Sequence, residues 1–494
     1  MKRARAKALT LFLLALPVHA GTIVVNQTAD PTTSDGLCSL REAMFAAGFN
    51  IAIDGCPAGD FGFDTIQLAP DTYLLRAPIG LTGIDPFLLA GSGPTNTRIQ
   101  PEPGEPGRLF YFHDTASVTF QDLELRNANS WTSTVAGNGG AMRVVDADLT
   151  LRNVLFYGNR ANAGGGLSFE TVADLHELSI ENSGFGFNRA DEGAPSTGAQ
   201  GGGLYLDLQG ANSAVRIRDT TFAGNVATGT SSTPVSGGAL QAQLAPEVSV
   251  EVTRSYFLQN RAESQGAQAI AGVSASIDVD SGLRIQDSAF YGNDVEGPAG
   301  SVTALSALVF GALTVERTSF TSEDQGEAHR HVGIASDNSA GVSLRSLLLA
   351  EGPATGIVLV SGLTDYVELG HLTVTQHAQI GIALEAYGPT RIENSILWQN
   401  GVNLQSDGPV SPTLTADLIG IDPLFVEAGS YELAANSPAV DTGSDTVLVP
   451  TFLDLLHRPR KVGIHTDKGA LERRGIFADD FGSGDLGFWT LTLP

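Results

Sequence analysis

Three groups of residues on this chain have the types that could do chemistry. Arg152, Glu181, Arg218, Gln286, Glu316, Arg345 and Glu393 occupy equivalent positions of a recurring pattern. Carbohydrate-cleaving enzymes use such side chains: a pectate-cleaving lyase needs clustered carboxylates for Ca²⁺ beneath an Arg or Lys base, and a glycosidase needs two carboxylates at a set separation. Here the signs are mixed at one repeat position, which reads as a charge ladder between neighbouring strands. No Asp pair at glycosidase spacing accompanies it, and His371 and His377 stand isolated in degraded copies of the pattern. Asp441 and Asp467, in Gly-bearing turns near Arg458 and Arg460, read as turn caps with a surface ion pair. The GGGL segments lack the Lys-Ser or Lys-Thr of a phosphate loop, and no zinc spacing occurs. The expectation is no catalytic residue, metal ligand or cofactor; Ca²⁺ is the ion a lyase would use, and nothing in the sequence supports it.

A repeat must position these residues. Its frame is aliphatic–x–aliphatic, Phe five positions later and Asn three after that, at Leu149–Asn159, Leu178–Asn188, Val215–Asn225, Val250–Asn260 and Leu283–Asn293. Looser copies start at Val118, Leu313, Val342, Val367 and Thr390. Starts lie 23 to 37 residues apart, a period that marks a solenoid, propeller or array. In one copy Leu149 and Leu151 share a face, Asn153 falls at a turn and Phe156 points inward. GGGL at Gly164–Leu167 then opens a third strand, as do GGGL at Gly201 and GGAL at Gly237. Such a unit cannot bury its inward face alone, but stacking sets Leu on Leu and Phe on Phe at ~4.8 Å. The pattern predicts an all-β, right-handed parallel β-helix, a pectin-lyase-like solenoid, of about twelve rungs and roughly 55–60 Å. Phe156, Phe185, Phe222, Phe257 and Phe290, continued by Phe320, then form a core column. Asn159, Asn188, Asn225, Asn260 and Asn293 form a ladder of amides bonded rung to rung, in turns whose left-handed conformation Asn tolerates.

The composition agrees: 58 Gly in 494 residues and 17% charged residues suit short strands and tight turns. The formal net charge of −26 makes nucleic acid and anionic lipid improbable partners. Residues 1–20 read as a secretory signal peptide: Lys2, Arg3, Arg5 and Lys7, an apolar core, and Val18-His19-Ala20 as cleavage site. The uncharged run 297–315 overlaps the repeat strand at Leu313 and reads as two solenoid strands, not a membrane span. In an exported chain two cysteines, Cys38 and Cys56, read as a disulfide, worth ~3 kcal/mol for a loop of this length. Ser39 with Glu42 forms a capping-box pattern before Leu40, Ala43, Met44 and Ala47. A two-turn helix stopped by Gly48 should follow and cover the open end of the solenoid.

CSLREAMFAAGFN at Cys38–Asn50, followed by Cys56, resembles the signature of the CSLREA domain, found near the start of secreted bacterial β-helix proteins; the resemblance implies export and architecture. The Phe-x-x-Asn and Gly-Gly-x-Leu pattern over Phe156–Asn293 resembles repeats of polymorphic outer membrane proteins, but no long C-terminal β-barrel follows. DPLFV at Asp422, NSPAVDTG at Asn436 and DKGALE at Asp467 resemble the closing region of choice-of-anchor Q proteins, which implies attachment or sorting. GIFADDFGSGDLGFWT at Gly475 resembles a short C-terminal motif of exported proteins from some Gram-negative bacteria; it reads either as a sorting tag or as a flap packing Phe477, Phe481 and Trp489 over the last rung. The resulting layout is a signal peptide (1–20), a cap (21–63), the β-helix (64–405), a closing region (406–474) and a tail (475–494). The function this supports is an exported, non-enzymatic adhesin or scaffold binding an extracellular glycan or surface protein. The alternative is a carbohydrate-active enzyme with a groove walled by insertions at 189–203 and 226–237.

Overall fold

The computed structural model describes residues 21–473 except 106, 132–136, 194–197, 231–232, 267, 299–300, 323–328, 338–339, 353, 428 and 447–452. The signal-peptide segment 1–20 and the tail 475–494 lie outside the described residues.

Short strands follow one another along the chain, and each pairs in parallel with its counterpart one repeat later. Crossovers between parallel strands are right-handed for steric reasons, and the fold is a right-handed parallel β-helix. Three sheets run its length. The first holds the strands that follow the Gly-Gly turns, among them Leu167–Thr171, Leu204–Leu208, Leu240–Leu244 and Val273–Ile277. The second holds the aliphatic–x–aliphatic strands, such as Glu177–Glu181 and Ala214–Arg218. The third holds the Phe strands, such as Gly184–Gly186 and Thr221–Ala223. The run at 297–315 supplies two strands, Val302–Val309 and Ala312–Glu316. No helix among the described residues is long and apolar enough to cross a membrane.

Parallel registration is one-to-one through the regular copies: Phe185 pairs with Phe156 and Phe222, and Phe222 with Phe257. The six rings from Phe156 to Phe320 stack almost parallel with centroids 4.5–5.0 Å apart, a separation set by the strand spacing. All are buried. At the following corner the Asn ladder is buried too. Asn159 donates its backbone N–H (3.1 Å) and Nδ2 (2.9 Å) to Asn188 Oδ1, and the same pair of bonds links Asn188 to Asn225, Asn225 to Asn260, and Asn260 to Asn293. Each Nδ2 also reaches a backbone carbonyl, as Asn225 does to Phe185 O at 2.8 Å.

One part of the expected rationale is corrected. The Asn column does not sit in the left-handed region; the residue before it does, at Gly158, Phe187, Gly224, Gln259 and Gly292. The Asn side chain seals the corner by hydrogen bonding alone. The left-handed residue of the other corner is at Asn153, Asn182, Asp219, Arg254, Asp287 and Arg317. A second ladder follows that corner: Val154 N donates to Ser183 Oγ, Thr220 N to Ser255 Oγ and Ser255 N to Ser288 Oγ. Its signal, a Ser or Thr two residues before each Phe from Phe185 to Phe320, is present in the sequence but was not among the expected features. At the Gly-Gly turns Gly164, Gly201 and Gly237 take positive φ, and a Cβ on Gly165 would collide with the Gly202 carbonyl.

The insertions after the Asn ladder begin as strands. Arg160–Ala161, Arg189–Asp191, Val226–Gly229, Arg261–Ser264 and Asp294–Glu296 form a separate five-stranded parallel sheet. Its inward Ala190, Ala227, Ala262 and Val295 are buried in a small apolar cluster of their own.

At the N-terminal end, Cys38 and Cys56 are bonded, with Cα atoms 4.7 Å apart. Ser39 and Glu42 form the capping box of a helix, Leu40–Phe49, longer than the two turns expected. Gly48 does not end it. Asn50 does, in the left-handed region, and Gly48 is needed where the helix approaches Ile84. Leu40, Ala43, Met44, Ala46 and Ala47 join the solenoid core, so the helix covers the open first rungs.

At the other end the chain past Ile419 packs back on the third sheet through Phe425, Tyr431, Leu433, Ala439 and Leu471. The expected surface ion pair is here a buried network. Arg460, 3% exposed, donates to the carbonyls of Gly469 (2.8 Å) and Ala470 (2.9 Å) and to Ser346 Oγ (2.7 Å). Arg458 pairs with the fully buried Asp454 at 2.7 Å. Asp467 accepts from the backbone of Asp441 and Arg473. Burial, then the neighbouring Asp467 charge, pushes the Glu472 carboxyl up to about 8.

Two outcomes follow. Asn225→Ala strands several buried N–H and C=O groups and should lower stability by about 3 kcal/mol, read as a shift in urea midpoint. Cys38→Ser/Cys56→Ser should cost ~3 kcal/mol, read as a lower midpoint under non-reducing conditions and no difference from wild type under reduction.

Candidate functional site

Since successive residues of a strand point to opposite faces, each sheet presents outward rows, and those of the first sheet carry the most varied chemistry. One row passes Tyr111, Arg143, Ser168, Tyr205, Gln241 and Ser274; the next passes His113, Val145, Glu170, Asp207, Gln243 and Ser276. Together they form a polar and aromatic strip across six rungs.

Its most ordered part is built on Glu170. Arg143 donates to that carboxylate through Nε (3.0 Å) and a terminal nitrogen (2.7 Å), Ser168 Oγ at 2.6 Å and Asn138 Nδ2 at 3.1 Å. Burial opposes ionisation of Glu170, but the bonds from Arg143 and Ser168 outweigh it and hold the carboxyl below its ordinary value. The Arg143 guanidinium lies 5.8 Å and that of Arg108 6.0 Å from the centroid of the Tyr111 ring, which stacks with His113. Arg108 donates to the carbonyls of Gly139 (3.0 Å) and Asn138 (2.6 Å), and burial lowers its pKa to about 10. Asn138 and Gly139 belong to the Gly-Gly turn that opens the strand at Met142, so Arg108 ties that turn to one edge of the strip. Burial, then the charges of Asp207 and Glu170, raises the Tyr205 phenol well above its ordinary value.

The Arg143 fork is committed to Glu170, and the Tyr205 phenol stays protonated, so neither is an available base at neutral pH. Flat rings beside planar polar groups can receive the apolar face and the hydroxyls of a pyranose. Among the described residues no group of three or more His, Cys, Asp or Glu is placed to hold a metal ion.

The sequence-derived candidates lie elsewhere. Arg152, Glu181, Arg218, Gln286, Glu316, Arg345 and Glu393 fall in one outward column of the second sheet, in register. They pair across rungs: Arg152 with Glu181 (3.8 Å), Arg218 with Glu251 (3.3 Å), Arg284 with Glu316 (2.8 Å) and Arg345 with Glu368 (2.5 Å). The Phe and Asn columns are core and corner, closed to a ligand. The histidines are not isolated. His377 meets the His331 ring edge-on with centroids 5.2 Å apart, and His371 Nε2 lies 3.2 Å from Asn394 Nδ2. Burial holds His331 and His371 neutral, their pKa values well below the ordinary one. The first-sheet strip was missed because no one residue type runs from rung to rung along its rows.

No family model matches the chain, and no curated protein matches its sequence. Among solved structures the chain is similar to pectate lyase Pel9A (TM-score 0.37, 12% identity, covering 93% of this chain and 98% of that one). It is also similar to the catalytic domain of a GH87 alpha-1,3-glucanase in complex with nigerose (0.49, 10%, 83% and 69%), and to PfbA, a surface adhesin of Streptococcus pneumoniae (0.44, 12%, 82% and 96%). These are likenesses of fold.

Glu170→Gln should lower stability at pH 7 by about 1–3 kcal/mol, because Arg143 would lose its buried charged acceptor. The folded-state pKa of Glu170 is depressed, so its contribution is complete above the unfolded value of ~4.3 and lost as pH falls through the folded value. The gap between wild-type and variant urea midpoints should therefore narrow from pH 7 to pH 3.

Proposed function

We propose that the protein is an exported, non-enzymatic scaffold that binds an extracellular glycan along the outer face of its first sheet. The observation that carries this reading is the Arg108–Tyr111–Arg143–Glu170 assembly. Arg143 and Glu170 satisfy one another, Arg108 is held by backbone carbonyls, and the Tyr111 ring is half-buried on an outward face. The disulfide-tied cap is compatible with an oxidising compartment. Export also rests on the signal-peptide pattern at 1–20 and the CSLREA resemblance. On the same terms 21–63 is the cap, 64–405 the β-helix, 406–474 a closing region of choice-of-anchor type and 475–494 a sorting tail. A surface protein could occupy the strip in place of a glycan.

Incubating the mature chain with uronate-containing and neutral polysaccharides in the presence of Ca²⁺ tests the reading. Retention on one or more of them, without new reducing or unsaturated ends, is the expected result; such ends appearing in proportion to the amount of protein would overturn the non-enzymatic assignment. Tyr111→Ala should weaken retention roughly tenfold if the ring contributes about 1.4 kcal/mol of stacking.

A further inference from the structure

The two ends of the solenoid are closed differently. At the N-terminal end the inward Ile23 and Ile66 are 1% and 0% exposed, in one core with the helix Leu40–Phe49. At the C-terminal end the last rung consists of Val402–Ser406, Thr413–Thr415 and Leu418–Ile419, one strand in each sheet. Register identifies its inward residues: Leu404 lies beside Ile382, Leu414 beside Ile392 and Ile419 beside Leu397. Those partners one rung back are fully buried, whereas Leu414 is 48% exposed and Leu404 and Ile419 are only partly buried. The closing region does not cover them, because its Phe425, Leu433 and Ala439 pack on Ile396, Trp398 and Leu418, outward positions of the third sheet. Among the described residues the strands Val402–Ser406 and Thr413–Thr415 pair on one side only. The end is therefore a triangle of aliphatic side chains rimmed by free strand edges, a surface that a solenoid must cap.

We propose that the chain's own segment Trp489–Leu493 is the cap, added as one more strand beside Thr413–Thr415. The segment lies outside the described residues, and its sequence carries the assignment. Trp489, Leu491 and Leu493 alternate with Thr490 and Thr492, the pattern of a strand with one apolar face. Leu491-Thr492-Leu493 repeats Leu149-Thr150-Leu151, where both Leu residues face the core and Thr faces outward. That earlier stretch belongs to the second sheet, and Thr413–Thr415 is the last strand of the same sheet. The new strand takes up the free edge, its Leu residues cover Leu414, and Trp489 on the same face extends the cover across the end of the core. The reach is ample. Ala470 N donates to Thr373 Oγ1 at 2.9 Å, two rungs before the last, or about 10 Å along the axis. Residues 474–488 can span up to about 50 Å when extended. A second copy docked end to end would cover the same surface only by joining two chains of net charge −26. The proposal gives the tail a place on the folded chain and is independent of glycan binding.

The test is amide hydrogen exchange on the full mature chain, compared with Trp489→Asp/Leu491→Asp, which charges the apolar face of the segment, and with Thr490→Asp, which charges the other. Sedimentation at two protein concentrations accompanies it, and the amides of the Phe strands from Phe156 to Phe290 report whether each variant is folded. The expected result is a monomer in which residues 402–406 and 413–415 exchange about tenfold or more faster in the double variant than in wild type, with Thr490→Asp like wild type and the Phe strands alike in all three. Equal exchange of the two end strands in wild type and double variant would overturn the proposal. Protection that grows with protein concentration alongside a dimer would assign the end to a second copy and overturn it as well. Loss of protection in Thr490→Asp to the same degree would show that no one face of the segment is bound, and would overturn the added strand.

Discussion

A corner of polypeptide sealed from water on every rung leaves backbone amides that only the next rung can satisfy. That constraint organises this molecule. At one corner the donors go to Asn oxygens and at the other to Ser hydroxyls, in each case one repeat away. Because each Asn also returns Nδ2 to a carbonyl further back, such as Asn260 to Phe222 O, the ladder spans three rungs at a time. Apolar stacking supplies most of the driving force, since aliphatic residues and Phe on the inward positions are buried almost completely. The ladders fix the register: a slip of one residue would turn the Phe column out and leave every corner unpaired.

With both corners committed to structure, variation is left to outward rows and to insertions. The second sheet uses its rows for cross-rung ion pairs, mostly half-exposed and so worth little each. The first sheet uses its rows differently. There the pairing of Arg143 with Glu170 is partly buried, braced by Ser168 and Asn138 and set against Tyr111, so a long flexible side chain is held as a fixed surface.

How much of this was legible in the sequence follows from the range of each interaction. The strands, the Phe and Asn columns and the capping box at Ser39 are written as repeated residue types or short local spacings, and they could be read directly. The end of the helix at Asn50 could not, because Gly48 looked like a stop and is instead the point of close approach to Ile84. The burial of Arg460 depends on Ser346, 114 residues earlier, and the meeting of His331 with His377 joins two degenerate copies. The first-sheet strip escaped for a related reason: equivalent positions there hold Tyr, Arg, Ser, Tyr, Gln and Ser, so no one residue type marks the row from rung to rung.

The Asn position of the repeat passes to Gly352, His377 and Asn400 in the later copies, and His377 N again donates to Asn400 Oδ1 at 3.0 Å. All inter-rung bonds lie along the axis, so a pull on the two ends is carried by the rungs in series, as in a stack of tiles glued face to face. Such a stack is only as strong as its poorest joint. The joints from Asn159 to Asn293 are doubly bonded amide to amide, whereas Gly352 contributes no side chain to its corner. At Gly352 the His331 ring fills the space a side chain would take, and the joint is carried by the sheet pairing of Leu348–Ala350 with Thr373–Thr375.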